Sequence, residues 1–166
     1  MDSLLGPVVF AIVVSSLYHS LKKKSREDAE EVEVHGGCHC GSVRWKIRCL
    51  RRTCAWVCNC SVCNMKQNHH IVVNDDSFFL EQCADDALTT YTFGTHAAKH
   101  HFCKTCGVQS FYKPRSNPNG VGVTMYCIDD MDEGVLRIER TGFDGQNWEH
   151  TYAGSTGSQI TAFSKK

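Results

Sequence analysis

Three tight cysteine groups stand out in this chain: Cys38-His39-Cys40, Cys58-Asn59-Cys60-Ser61-Val62-Cys63 and Cys103-Lys104-Thr105-Cys106. Eleven cysteines in 166 residues would suggest a disulfide framework in a small secreted domain. The spacing argues otherwise. Cysteines one or two residues apart rarely reach disulfide geometry without strain. The same spacings suit several thiolates converging on one small cation. Cys38/Cys40 and Cys103/Cys106 are each followed by glycine, Gly41 and Gly107, which supplies the positive-φ residue that a metal knuckle needs. Two such half-sites make a closed tetrahedral site of four thiolates, the usual structural zinc arrangement. Its metal would pin two distant segments together, so binding would contribute folding energy.

Cys58, Cys60 and Cys63 form a second group, and the two sites imply two zinc ions per chain. Three protein ligands leave one tetrahedral position free, the mark of a catalytic zinc. A fourth protein ligand would close the site, and Cys54, Cys83, Cys127, His69 and His70 are the candidates. Spacing alone leaves both arrangements open, and also thiols without metal. Three thiolates on Zn²⁺ leave a net charge of minus one. Such a centre acidifies bound water less readily than one with neutral histidines, so it favours a sulfur ligand or a polarised small carbonyl over hydrolysis.

Other polar residues carry weaker signals. Lys66, Gln67 and Asn68 follow the three-thiolate group and would line its mouth. Arg115-Ser116-Asn117 sits in a Pro-bounded turn, where Arg115 could hold a carboxylate. His96, His100 and His101 read as surface histidines. Phe93, Phe102, Phe111 and Tyr112 read as core, and Cys49 as a plain small side chain. No Ser-His-Asp order, P-loop or dinucleotide glycine motif is present.

The elements that must position these residues read as β. Val43, Trp45 and Ile47 alternate with Arg44, Lys46 and Arg48, a period-two strand. Further short strands are expected at His70–Val73, Phe78–Glu81, Thr89–Phe93, His100–Phe102, Gln109–Lys113, Val121–Tyr126 and Val135–Ile138. Turns are expected at Asn74–Ser77, Pro114–Gly120 and Asp129–Gly134. No long amphipathic helix follows Glu33. The pattern predicts a mainly β domain of packed antiparallel sheets.

The length fits one domain with a segment at each end. Residues 1–32 hold an apolar stretch, Ser3–Leu21, followed by Lys22, Lys23, Lys24 and Arg26 and an acidic run. This is a candidate membrane anchor, at the short end of what a span needs. Its following positive cluster places the next domain in the cytosol, where thiolates stay reduced. Residues 33–150 form the zinc domain, and 151–166 a polar, mobile tail. Eighteen basic residues balance eighteen acidic ones, which disfavours nucleic acid as a partner.

The stretches Gly36–Arg44, Cys58–Cys63 and Phe102–Gly107 resemble the glutathione-dependent formaldehyde-activating enzyme family. Tyr91–His96, Ser110–Pro118 and Asp144–Glu149 look closest to its centromere-protein-V branch. The resemblance implies an Mss4-like fold, a structural zinc on Cys38, Cys40, Cys103 and Cys106, and a catalytic zinc on Cys58, Cys60 and Cys63. It implies a carbon–sulfur lyase that joins formaldehyde and glutathione to S-hydroxymethylglutathione, or splits it. The same branch implies an alternative, a non-catalytic zinc scaffold for a cytoskeletal or chromatin partner. Cys49, Cys54 and Cys83 lie outside the seven-cysteine pattern, and Cys54 could close the second site.

Overall fold

The computed structural model describes residues 5–84, 86–129, 131 and 134–164. Ser3 and Leu4 of the apolar segment, and Asp130, Asp132 and Glu133 of the expected Asp129–Gly134 turn, lie outside them. The chain runs α1 (Leu5–Asp28), β1 (Glu31–Gly37), β2 (Val43–Leu50), β3 (Arg52–Cys58), α2 (Ser61–Lys66), β4 (His69–Asn74) and β5 (Phe78–Cys83). It continues with β6 (Leu88–Tyr91), β7 (Lys99–Cys103), β8 (Phe111–Lys113), β9 (Gly120–Thr124), β10 (Arg137–Phe143), α3 (Trp148–Ala153) and α4 (Ser155–Ala162).

The strands form two sheets. One has the order β1-β2-β5 and the other β10-β3-β4-β9-β8-β7-β6. Among the described residues all strand pairings are antiparallel except β10 on β3, which is parallel. The expected mainly β architecture of packed antiparallel sheets is therefore the one observed. Alternation explains β2: Val43, Trp45 and Ile47 are buried, while Arg44, Lys46 and Arg48 point outward or lie at the margin. Val43, Trp45 and Ile47 meet Ile71, Val73, Val121, Val123 and Phe111 of the larger sheet in one core. Each such side chain, fully buried, contributes about 1.5–3 kcal/mol.

β4 differs, because Ile71, Val72 and Val73 are buried in succession. A strand covered on both faces reads as a continuous apolar run. Ile71 and Val73 face the small sheet, while Val72 joins Trp56, Phe143 and Ile160 on the opposite side. That second cluster is sealed by α4. The segment expected to be a mobile polar tail is thus helical and docked over much of its length. Ile160 is buried, and the fully buried Asn117 donates from Nδ2 to Ile160 O at 2.9 Å and to Ser164 Oγ at 2.7 Å.

At the other end, α1 is tied down at its last turn. Asp28 pairs with Arg137, and with Arg52 at 3.6 Å. From Val13 to Arg26 every residue is exposed, including Leu17, Tyr18 and Leu21. Among the described residues no helix is long and apolar enough to cross a membrane, so the anchor suggested by the apolar run gains no support.

Candidate metal centres and the cavity beside them

The first centre joins two equivalent turns. In the β1–β2 turn, Cys38 N donates to Val43 O, Gly41 N donates to Cys38 O, and Gly41 has φ +79°. After β7, Cys103 N donates to Val108 O, Gly107 N donates to Cys103 O, and Gly107 has φ +73°. A positive φ strains any residue with a Cβ, which explains the glycine after each second cysteine. The sulfurs of Cys38, Cys40, Cys103 and Cys106 lie within 4.8 Å of one another. Val43 N also donates to Cys38 Sγ at 3.3 Å, a contact that supports a charged sulfur.

Without a metal these thiols differ in acidity. Burial pushes Cys38 up to about 11. Cys40 is exposed, and the Ser42 hydroxyl beside it brings it down to about 6. Four soft donors with no carboxylate among them fit a soft cation that four-coordinates tetrahedrally. The two turns belong to different sheets, so an ion here would staple the sheets together.

The second centre is local. Cys58 ends β3, Cys60 precedes the first turn of α2, and Cys63 is buried on that helix. Their sulfurs also lie within 4.8 Å of one another. Cys60 N–H points at Cys58 Sγ across 3.5 Å. The neighbouring thiols of Cys58 and Cys63 hold Cys60 far below the ordinary thiol value, and the same contacts push Cys58 and Cys63 up.

A distant loop closes over this group. β10 pairs with β3 so that Phe143 stands opposite Cys58, and the chain then turns across the cysteines. Asn59 binds that turn from below. Its Nδ2 donates to Asp144 Oδ1 at 3.0 Å, and its Oδ1 accepts from Gln146 N at 3.1 Å. Gly145 lies directly over the sulfurs: a Cβ on it would stand 2.4 Å from Cys58 Sγ and 2.7 Å from Cys60 Cβ.

No fourth His, Cys, Asp or Glu joins the three sulfurs among the described residues. Cys54 packs against the Trp56–Phe143 cluster. Cys83 and Cys127 pack against the main core, as does Cys49, whose thiol burial pushes up to about 12. His69 sits near the Tyr126 hydroxyl at 3.3 Å. His70 is buried, with Nδ1 near Asn68 O at 3.3 Å and Nε2 2.8 Å from Tyr112 Oη. The closed alternative weighed from sequence thus has no candidate in place.

The open side faces a cavity of about 250 Å³. Its floor is Cys58, Cys60 and Cys63, and its walls include His70, His100, Tyr112, Phe93, Trp148 and Ile160. Arg115 stands at one wall with its guanidinium 3.6 Å from the centre of the Trp148 ring, and it pairs with Glu149.

Several expectations need correction here. Lys66 does not line the mouth but donates to Gln109 Oε1 at 2.7 Å. Gln67 caps α2 in the left-handed region, and Asn68 is buried behind it. Ser116 and Asn117 are buried structural residues, so of that turn Arg115 alone presents a charged head, stacked on Trp148 and paired with Glu149. His100 is buried, not a surface histidine, whereas Phe93 is 37% exposed and lines the cavity. Phe111 and Tyr112 are buried as expected. Gly145 and Trp148 gave no chemical signal in the sequence; their proximity depends on the parallel β10–β3 pairing.

Residues 33–143 match the family described as glutathione-dependent formaldehyde-activating enzyme. The match ends at Phe143, so Gly145, Trp148 and Ile160 of the cavity wall lie beyond it. The chain is also similar to a Rhodobacter sphaeroides protein of known crystal structure. The two share 30% identity at a TM-score of 0.54, over 64% of this chain and 99% of that one. A match over more than half the chain, on the segment that carries both cysteine groups, shows that this chain belongs to the glutathione-dependent formaldehyde-activating enzyme family.

Proposed function

We propose that this protein is a zinc-dependent carbon–sulfur lyase that makes or splits a small thiol adduct of the S-hydroxymethylglutathione kind. The observation that carries this reading is the three-cysteine group with no fourth ligand among the described residues, set on the floor of a cavity. Soft donors favour a soft ion, and zinc on Cys58, Cys60 and Cys63 would offer a sulfur or a carbonyl oxygen an attractive positive centre. The other zinc, on Cys38, Cys40, Cys103 and Cys106, would be structural. No disulfide joins any of the described cysteines, which suits a reducing compartment.

The chain's own residues then divide the work. The cysteine floor receives the sulfur end of the adduct. The ring of Trp148 holds the Arg115 guanidinium at the wall, where a substrate carboxylate could exchange with the exposed Glu149. Orientation between these two points supplies proximity. Asp144–Glu149, which resembles the centromere-protein-V branch, contributes Gly145 and Trp148 to this cavity. We therefore read 33–150, with α4 as its cover, as the functional unit. A scaffold role without chemistry is not favoured, because the second group opens on a cavity.

The test is direct. Protein loaded with two zinc ions is mixed with formaldehyde and glutathione, and adduct formation is followed by NMR against the uncatalysed rate. Acceleration that disappears in Cys60→Ala supports the reading. Fully loaded protein that leaves the uncatalysed rate unchanged would sink it.

A further inference from the structure

We infer that His100 is the group that exchanges a proton with the substrate hydroxyl, its Nε2 presenting a lone pair to the cavity beside the three cysteines. The inference rests on the lyase reading above.

The tautomer follows by elimination. Lys66 Nζ lies 2.7 Å from Gln109 Oε1, and an ammonium can only donate. That fixes the oxygen of the Gln109 amide toward Lys66. His100 Nδ1 lies 3.2 Å from the same oxygen, so Nδ1 must carry the hydrogen and donate it. In the neutral ring Nε2 is then the acceptor. Two aromatic rings hold the imidazole in place. Tyr112 stacks on it at 5.3 Å and 5°, and Phe93 at 5.7 Å and 27°.

Nε2 has no hydrogen-bond partner among the described residues. It is also not one of the sealed orphan atoms, which are Trp56 Nε1, Asn68 Nδ2 and Gln109 Nε2. Since His100 lines the cavity, Nε2 opens on it. The other buried ring groups of this wall, His70 and Tyr112, are committed to each other. His70 Nδ1 donates to Asn68 O, so His70 Nε2 accepts from the Tyr112 hydroxyl. That leaves neither His70 with a free lone pair nor Tyr112 with a free proton. His100 also does not join the group of three sulfurs, and ring and sulfurs line the same cavity.

The step balances. For cleavage, the adduct's O–H proton passes to His100 Nε2, and the oxygen's electron pair forms the aldehyde C=O. The C–S bond breaks, and its pair leaves on sulfur as a thiolate. In the reverse direction the thiolate attacks the aldehyde carbon, and His100 returns the proton to the new alkoxide. A positioned base of this kind contributes roughly 10²–10⁴-fold.

Two measurements test this. In His100→Gln, kcat should fall by about 100-fold or more, while zinc content stays at the wild-type value and KM changes little. Loss of one zinc would make His100 a ligand, and an unchanged kcat would make it a wall residue; either overturns the proposal. Because the ring is buried and the variant could fail to fold, wild-type protein is examined in parallel by ¹⁵N NMR of its histidines. The free protein should show His100 protonated at Nδ1 and bare at Nε2. A stable hydroxyalkyl thioether of glutathione should then shift Nε2. Protonation at Nε2, or an Nε2 signal unmoved with the thioether bound, overturns the assignment. If wild type turns over and His100→Gln matches it, only this assignment fails. If zinc-loaded wild type does not turn over, the lyase reading fails and takes this one with it.

Discussion

Gly145 and Cys58 approach so closely that the first carbon of any side chain at 145 would stand 2.4 Å from the Cys58 sulfur. The loop is held down by Asn59, so it cannot simply lift away. Gly145→Ala should therefore displace either the loop or the sulfurs, at about 1–3 kcal/mol as for other overpacked sites. Metal analysis should show the second site emptied or weakened with the first retained. Normal loading of both sites in Gly145→Ala would show that the loop gives way instead.

The two centres should respond differently to ligand loss. Cys103 is almost fully buried and ties one sheet to the other, so Cys103→Ala should cost folding. Cys60→Ala alters a group contained within one turn, and should leave a folded protein that holds one ion. Thermal melts with metal analysis separate the cases, and equal collapse of both variants would count against the division.

Cys54 should be a bystander. It packs against Trp56 and Phe143 and stands apart from the three sulfurs. Cys54→Ser should leave thiol binding to the zinc-loaded protein within about twofold, as expected for a residue outside the site. A gain of thiol binding in Cys54→Ser would mean that Cys54 fills the fourth position in solution.

His70 predicts how stability depends on pH. Burial lowers its pKa to about 4, below the ~6.5 of an unfolded chain. Between these values the unfolded state binds the extra proton, so stability rises with pH through this window and is lost as pH falls toward 4. The full difference is about 3 kcal/mol. Urea melts at pH 7.5 and 4.5 should show wild type losing about 2–3 kcal/mol more than His70→Gln. Metal loss in acid affects both proteins, so the difference isolates the histidine. Parallel losses in the two would refute the burial argument.

Much of this was legible in the cysteines because ligand type and short spacing are local properties. The β2 alternation was legible for the same reason. β1 was obscured because Glu31 and Glu33 read as the end of an acidic run, although Val32 and Val34 alternate with them. In β3, Arg52 and the scattered cysteines masked a strand that buries Ala55 and Trp56. His100 looked exposed beside Lys99 and His101, yet strand pairing sets it opposite Tyr112. Ser155–Ala162 reads as polar by composition, but Ile160 and the Asn117 amide dock it. Each of these depends on a contact between residues far apart in sequence, which periodicity cannot show.

The separation between the ligands of the first centre sets an order of events during synthesis. Cys40 and Cys103 are 63 residues apart, and at ~5–20 residues per second the ribosome needs roughly 3–13 s to make that stretch. Throughout that interval the first knuckle would be a half-site, unable to hold an ion tightly and open to oxidation. Cys58, Cys60 and Cys63 emerge almost together, so this group could capture an ion before the four-cysteine group is complete. The loop bearing Gly145 is made later still and would close over a group able to bind its ion beforehand. Nascent chains stalled before Cys103 should therefore retain zinc on the local group, as mass spectrometry of released chains can read.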